Sequence, residues 1–103
     1  MYKICFFVPF EHTEKVKDAL FDAGAGKIGL YENCSWQTAG SGQFKALSGS
    51  QPFLGKQGSL EIVDEYKVEL ICDSEHIDAA IKALKTSHPY EEPAYEVYKL
   101  ENF

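Results

Sequence analysis

The chain has 103 residues, a formal net charge of −6, 45% hydrophobic and 25% charged side chains. That is the length of one domain, residues 1–103, with enough apolar material for a core without disulfide or metal staples. The acidic balance argues against duplex DNA or RNA as the main partner, because non-specific affinity comes from neutralising phosphates.

No run approaches a membrane span or a signal-sequence core, so the chain is expected to stay off the membrane. Cys5, Cys34 and Cys72 are widely spaced, with no C-x-x-C pair. This points to structural thiols in a reducing, cytoplasmic setting.

Tyr2 to Val8 is apolar except at Lys3 and runs into Pro9, the pattern of a strand covered on both faces. Thr13 is placed to cap a helix in which Val16, Ala19, Leu20 and Ala23 share one face, stopped by Gly24 and Gly26. Ile28 to Thr38 reads as a second strand, Ala39-Gly40-Ser41-Gly42 as a turn, and Gln43 to Leu47 as the return arm of a hairpin. Ser48 to Ser59, with Gly49, Pro52, Gly55 and Gly58, reads as a long loop ordered in part by Phe53 and Leu54.

Leu60 to Cys72 carries the longest strand signal, and Ser74 is placed to cap a second helix with Ile77, Ala80, Ile81 and Leu84 on one face. His88-Pro89-Tyr90-Glu91-Glu92-Pro93-Ala94-Tyr95 follows. Its two prolines fix φ, remove two backbone donors and push His88 and Glu92 toward extended geometry. The segment is a stiff link into a last strand of alternating Tyr95, Val97 and Lys99. It carries an imidazole, a phenol and two carboxylates.

The order β-α-β, hairpin, β-α-β, with right-handed crossovers, puts both helices on one face of a single sheet. The fold class is therefore α+β, a ferredoxin-like split-βαβ antiparallel sheet with an extra hairpin and a long loop. The apolar sheet face left without helices calls for a partner. Self-association into a homo-oligomer is the expectation.

Four blocks in order resemble the domain inserted into many proteins of the NIF-three-like family, also called the GTP cyclohydrolase I type 2-like or DUF34 group. They are Gly24 to Trp36, Gly40 to Phe44, Pro52 to Gly55, and His88 to Tyr95. The resemblance covers Met1 to about Asn102. It implies a fold similar to PII signalling proteins and CutA divalent-cation-tolerance proteins, and a homotrimer as the assembly. It also implies that the family's di-metal ligands lie in two flanking halves outside this chain, which reads as a stand-alone version of the inserted domain. Neither that metal site nor a hydrolase activity carries over.

The residues leave several functional readings open. Gly29, Tyr31, Cys34, His88, Tyr90, Glu91 and Glu92 are the candidate ligand-binding residues. His88 and Glu92 are candidate ligands for a divalent metal ion, since imidazole with carboxylate suits several metals. Glu91 and Glu92, adjacent in an extended segment, point to opposite faces and do not chelate together. The structural alternative has His88 and Tyr90 bonding neighbouring backbone.

No histidine stands beside a cysteine in the sequence, so a nucleophilic thiol is disfavoured. The glycine-rich stretch from 40 to 58 lacks phosphate-loop spacing, although Lys45 and Lys56 are available to an anion. A binding or regulatory module for a divalent metal ion or a small anionic metabolite is the leading expectation, without assigned catalytic residues. The alternatives are an enzyme at a subunit boundary built from His88, Glu91 and Glu92 with Tyr31 or Cys34, and a module that docks on another protein.

Overall fold

The strand Tyr2–Pro9 (β1) forms the centre of the fold, as its apolar run requires. In the computed structural model, which describes all 103 residues, it lies between Leu60–Cys72 (β3) and Tyr95–Lys99 (β4), antiparallel to both. Trp36–Lys45 (β2) pairs antiparallel with the far side of β3, giving a four-stranded sheet in the order β2-β3-β1-β4. The helices Thr13–Asp22 (α1) and Ile77–Ser87 (α2) pack side by side on one face. This is the expected ferredoxin-like α+β architecture. No helix is long and apolar enough to cross a membrane.

Alternation builds the core. Ile4, Phe6 and Val8 of β1 and Val68, Leu70 and Cys72 of β3 point to the helices. Val16 and Leu20 of α1 and Ala80 and Leu84 of α2 meet them there, all buried. Burying one such aliphatic or aromatic side chain contributes roughly 1.5–3 kcal/mol, so this layer holds the fold.

The extra hairpin is not formed. Ile28 to Thr38 is mostly not strand: Ile28 and Tyr31 close a tight turn with mutual 2.9 Å backbone bonds, and Gly29 sits in it at φ 56. Asn33 at φ 57 turns the chain again. Ala39 to Gly42, read as a turn, lies inside β2, with Gly40 opposite Glu65 and Gly42 opposite Val63. The one hairpin is β2–β3, and residues 46–59 are its connection.

Neither expected cap is made. Thr13 is the first residue of α1 rather than its cap, and its hydroxyl donates back to the Pro9 carbonyl at 3.2 Å. Before α2 the N-cap position is His76, not Ser74, and no side chain caps the helix. Asp73 closes the preceding turn, accepting from the His76 amide at 3.0 Å and from its imidazole at 2.6 Å.

Burial on β3 changes sides along its length. Near α1 and α2, residues 68, 70 and 72 are buried; toward the hairpin connection, 61, 63 and 65 are half-buried while 60, 62 and 64 are exposed. The helices cover the first half from one face. The 46–59 connection covers the second half from the other, and a cleft lies there.

Candidate functional site

Residues 88–94 carry the chain from α2 to β4 around the end of β1. The last β1–β4 pair is Phe6 with Tyr95, so Phe7 lies one residue beyond the ladder. His88 Nε2 donates to the Phe7 carbonyl at 2.7 Å, doing the work of the missing strand. Its Nδ1 accepts from the Tyr90 amide at 3.1 Å. These partners fix the neutral tautomer with the proton on Nε2. Burial pushes the His88 pKa below the usual imidazole value, against a smaller rise from the Phe7 carbonyl. Both ring nitrogens are thus engaged, and this arrangement leaves no lone pair for a metal ion.

Tyr90 is the centre of an aromatic group. Its ring lies 4.9 Å from that of His88, 6.1 Å from Phe44 and 6.3 Å from Phe53. Its hydroxyl donates to Glu65 at 3.1 Å, and burial together with that carboxylate pushes its pKa well above the usual phenol value. The tyrosine bonds a side chain, not the neighbouring backbone.

Glu91 accepts from the Gln51 amide at 3.0 and 3.3 Å, tying the hairpin connection to the Pro-rich segment. The connection is closed at its neck by the Gly58 amide on the Ala46 carbonyl, 2.7 Å, and braced by Gln57 Nε2 on the Ser50 carbonyl, 2.8 Å. It is an ordered loop of the omega kind.

Between this loop, the outer face of β2 and β3, and residues 90–94 lies a cleft of about 420 Å³. Phe7, Phe44, Phe53 and Tyr90 supply its aromatic walls, and Glu65, Glu91 and Glu92 its charges; no basic side chain lines it. That charge distribution disfavours an anionic metabolite here, and Lys45 and Lys56 lie outside the lining. Tyr90, Glu91 and Glu92 line it together. The two glutamates were expected on opposite faces of an extended segment, but residues 89–92 bend and bring both to the cleft, while His88 stands behind them as their splint. Glu65, Phe44 and Phe53 were not anticipated. A signal for Glu65 existed in Gly42: a Cβ there would collide with the Glu65 carboxylate, and glycine inside a strand marks such close approach.

Gly29, Tyr31 and Cys34 are elsewhere. Cys34 lines a second hollow of about 320 Å³ with Ile28, Trp36 and the 2.7 Å Lys3–Glu69 ion pair, toward the other end of β3. That pair holds the Glu69 carboxyl below its usual range. Tyr31 is exposed. No histidine lines this hollow, so nothing there activates the Cys34 thiol. Cys5 and Cys72 are buried, which pushes both thiols up, as structural thiols require. Asp73, Glu75 and His76 place ligand-type atoms within 4.8 Å of one another, but Asp73 and His76 are already bonded to each other in the turn before α2.

No family model matches the chain. Over 102 residues it is 48% identical to a GTP cyclohydrolase 1 type 2 homolog of Halalkalibacterium halodurans, covering 99% of this chain and 27% of that protein. The Bacillus subtilis protein of the same name is 44% identical over 99 residues, covering 96% of this chain and 26% of its own. The chain thus spans about a quarter of the length of the curated relatives it matches. Among solved structures, a Bacillus cereus protein related to NIF3 superposes with a TM-score of 0.83 at 44% identity, over 98% of this chain and 26% of that one. CutA1 from Pyrococcus horikoshii superposes with a TM-score of 0.71 at 17% identity, over 100% and 86% respectively, which is a likeness of fold.

Proposed function

We propose that this chain, related over its whole length to one segment of the NIF3-related proteins, is a non-catalytic binding module that self-associates. The observation that carries the binding reading is the aromatic, acid-rimmed cleft of about 420 Å³. That size falls within the roughly 300–1,000 Å³ of small-molecule sites. Most of its polar groups are occupied in holding the site together: Tyr90 by Glu65, Glu91 by Gln51, His88 by Phe7. Glu92 alone stands free, with no unengaged nucleophile or second acid–base group beside it, which favours binding over catalysis.

Association is supported by surface. The chain exposes 6826 Å², whereas a compact monomer of this mass exposes roughly 5,800 Å². Its extents are 46 × 24 × 24 Å, with β2 as a ten-residue unpaired edge. Trp36, Leu60 and Ile62 are exposed along this arm, at 69%, 58% and 69%. Edges and apolar patches of this kind are normally covered. A homotrimer in a reducing cytoplasm, with its three cysteines free, fits the resemblance and the thiols.

The metal reading at His88 and Glu92 would require the imidazole to surrender one of its two hydrogen bonds, to the Phe7 carbonyl or to the Tyr90 amide. The enzyme reading would have to work from His88, Glu91 and Glu92, of which His88 and Glu91 are held by hydrogen bonds; Tyr31 and Cys34 do not line this cleft within one chain. A screen of small neutral, anionic and cationic aromatic compounds against ¹⁵N-labelled protein tests the module. Saturable shifts of the Gln51, Glu65 and Tyr90 amides by any class support it, and silence from all classes removes it.

A further inference from the structure

We propose that the cleft beside Tyr90 is selective for an organic cation: a primary or quaternary amine carrying an aromatic or alkyl body. The inference rests on the binding reading above and names its ligand class.

The charges come first. Glu65, Glu91 and Glu92 converge on one cleft in a chain that is already acidic overall, and no lysine, arginine or histidine lines it. Three like charges around a partly enclosed space repel one another, and the low-dielectric aromatic walls weaken the screening. A cation entering the cleft relieves that repulsion; an anion adds to it.

The three carboxylates are also differently committed. Glu65 accepts from Tyr90 and Glu91 accepts from Gln51, so both are held in place on the walls. Glu92 makes neither a hydrogen bond nor an ion pair and is exposed, leaving its carboxylate free to meet a ligand.

The walls supply the second requirement. Phe44, Phe53 and Tyr90 stand with ring centroids 6.1 and 6.3 Å from the tyrosine, tilted rather than stacked flat. The three rings pack against one another and line the cleft, and an ammonium group over an aromatic face is attracted by its quadrupole. Alanine, proline and leucine side chains from Ala46, Pro52 and Leu54 complete an apolar floor for the body of the ligand. A bare metal ion would gain nothing from these walls, and a neutral hydrocarbon nothing from the acids. An amine with an apolar body uses both.

The test compares three compounds of one shape: phenethylamine, 2-phenylethanol and 3-phenylpropionate. Each is titrated into ¹⁵N-labelled wild-type protein, with the Gln51, Glu65 and Tyr90 amides as reporters. The amine is expected to bind about tenfold more tightly than the acid and a few-fold more tightly than the alcohol. Glu92→Gln is expected to weaken the amine about threefold and leave the alcohol unchanged, and added salt should do the same. Glu65→Gln provides a second variant at a wall position. Equal binding of acid and amine overturns the proposal, as does an amine preference that survives both substitutions. If the alcohol binds and the amine does not, the cleft remains a ligand site and only the cation assignment falls. If none of the three moves these amides, the binding reading itself falls.

Discussion

His88 Nε2 lies 2.7 Å from the carbonyl oxygen of Phe7, eighty-one residues away in sequence. Through this bond a histidine replaces one rung of a β-ladder. β4 begins at Tyr95, opposite Phe6, and the chain arrives there from α2 only after crossing the end of β1. The crossing is extended at His88 and bends through residues 89–92; the imidazole fastens it. His88 is 5% exposed, and its pair of bonds reads as structure.

His88→Ala should therefore destabilise the protein. The Phe7 carbonyl and the Tyr90 amide both lose their partner, and one buried group left unsatisfied costs about 1–3 kcal/mol. For a domain of this size each kcal/mol lowers Tm by roughly 4–8 °C. The loss should be the same with and without chelator at fixed protein concentration. A loss confined to metal-loaded protein would show that His88 is a ligand after all.

The same residue gives stability a pH dependence. Its pKa is lowered on folding by burial, so in the acidic range the unfolded chain binds the proton more readily than the folded one. Stability from this group is present above the unfolded imidazole value of about 6.5 and is lost as pH falls through the folded value. Denaturant midpoints should decline on the acid side of neutrality in wild type, and that limb should flatten in His88→Ala. An unchanged limb in the variant would assign the effect to other groups.

Tyr90 should titrate later than an ordinary tyrosine. Desolvation and the Glu65 carboxylate both disfavour the phenolate, so its contribution to stability is present below the usual phenol pKa and fades as pH rises through the higher folded value. Absorbance near the phenolate band should show Tyr90 titrating last among the six tyrosines, behind Tyr98, whose phenol Glu96 also pushes up, and Tyr90→Phe should remove the latest step. The substitution should cost about 0.5–1.5 kcal/mol, the net worth of one hydrogen bond.

The helices and the two central strands were legible because periodicity and burial agree there: Val16 and Leu20, or Ile77, Ala80 and Leu84, mark one face in sequence and in space. β2 was misread because glycine near serine signals a turn when only local chemistry is considered. Here Gly40 and Gly42 lie in mid-strand, where the Glu65 side chain folds across Gly42. A cross-strand reason leaves no local trace. The caps failed on position: Thr13 sits inside α1, and His76 rather than Ser74 stands at the N-cap of α2. The Pro-rich segment was recognised as a stiff link with polar cargo. That Tyr90, Glu91 and Glu92 share a cleft with Phe44 and Phe53 depends on the path of residues 46–59, which no periodicity encodes.

Two glycines should respond oppositely to alanine. Gly24 ends α1 at φ 107 with its Cα against the His76 ring, so a methyl group there meets both backbone strain and a clash with a side chain fixed by Asp73. Gly24→Ala should cost about 1–3 kcal/mol. Gly42→Ala meets only the end of the Glu65 side chain, which can swing aside. It should cost little stability while breaking the Tyr90–Glu65 bond, bringing the Tyr90 titration back toward an ordinary phenol. A Gly42→Ala protein with an unchanged Tyr90 would show that the carboxylate holds it from a different position.

The proposed self-association would use the arm formed by β2 and the outer half of β3. Leu60 and Ile62 lie on the helix-bearing face of the sheet but beyond the reach of the helices, where they are exposed. Light scattering at micromolar concentration should give a mass near three chains of 11.6 kDa. Leu60→Glu with Ile62→Glu should shift that mass toward a single chain, because a buried interface cannot accept two unpaired carboxylates. Both side chains are exposed in the isolated chain, so far-UV dichroism should change little, and loss of assembly can be separated from loss of fold. A wild-type protein that stays monomeric would mean that the exposed arm is tolerated in water. An assembly that survives both substitutions would move the interface to the Trp36 end of the sheet.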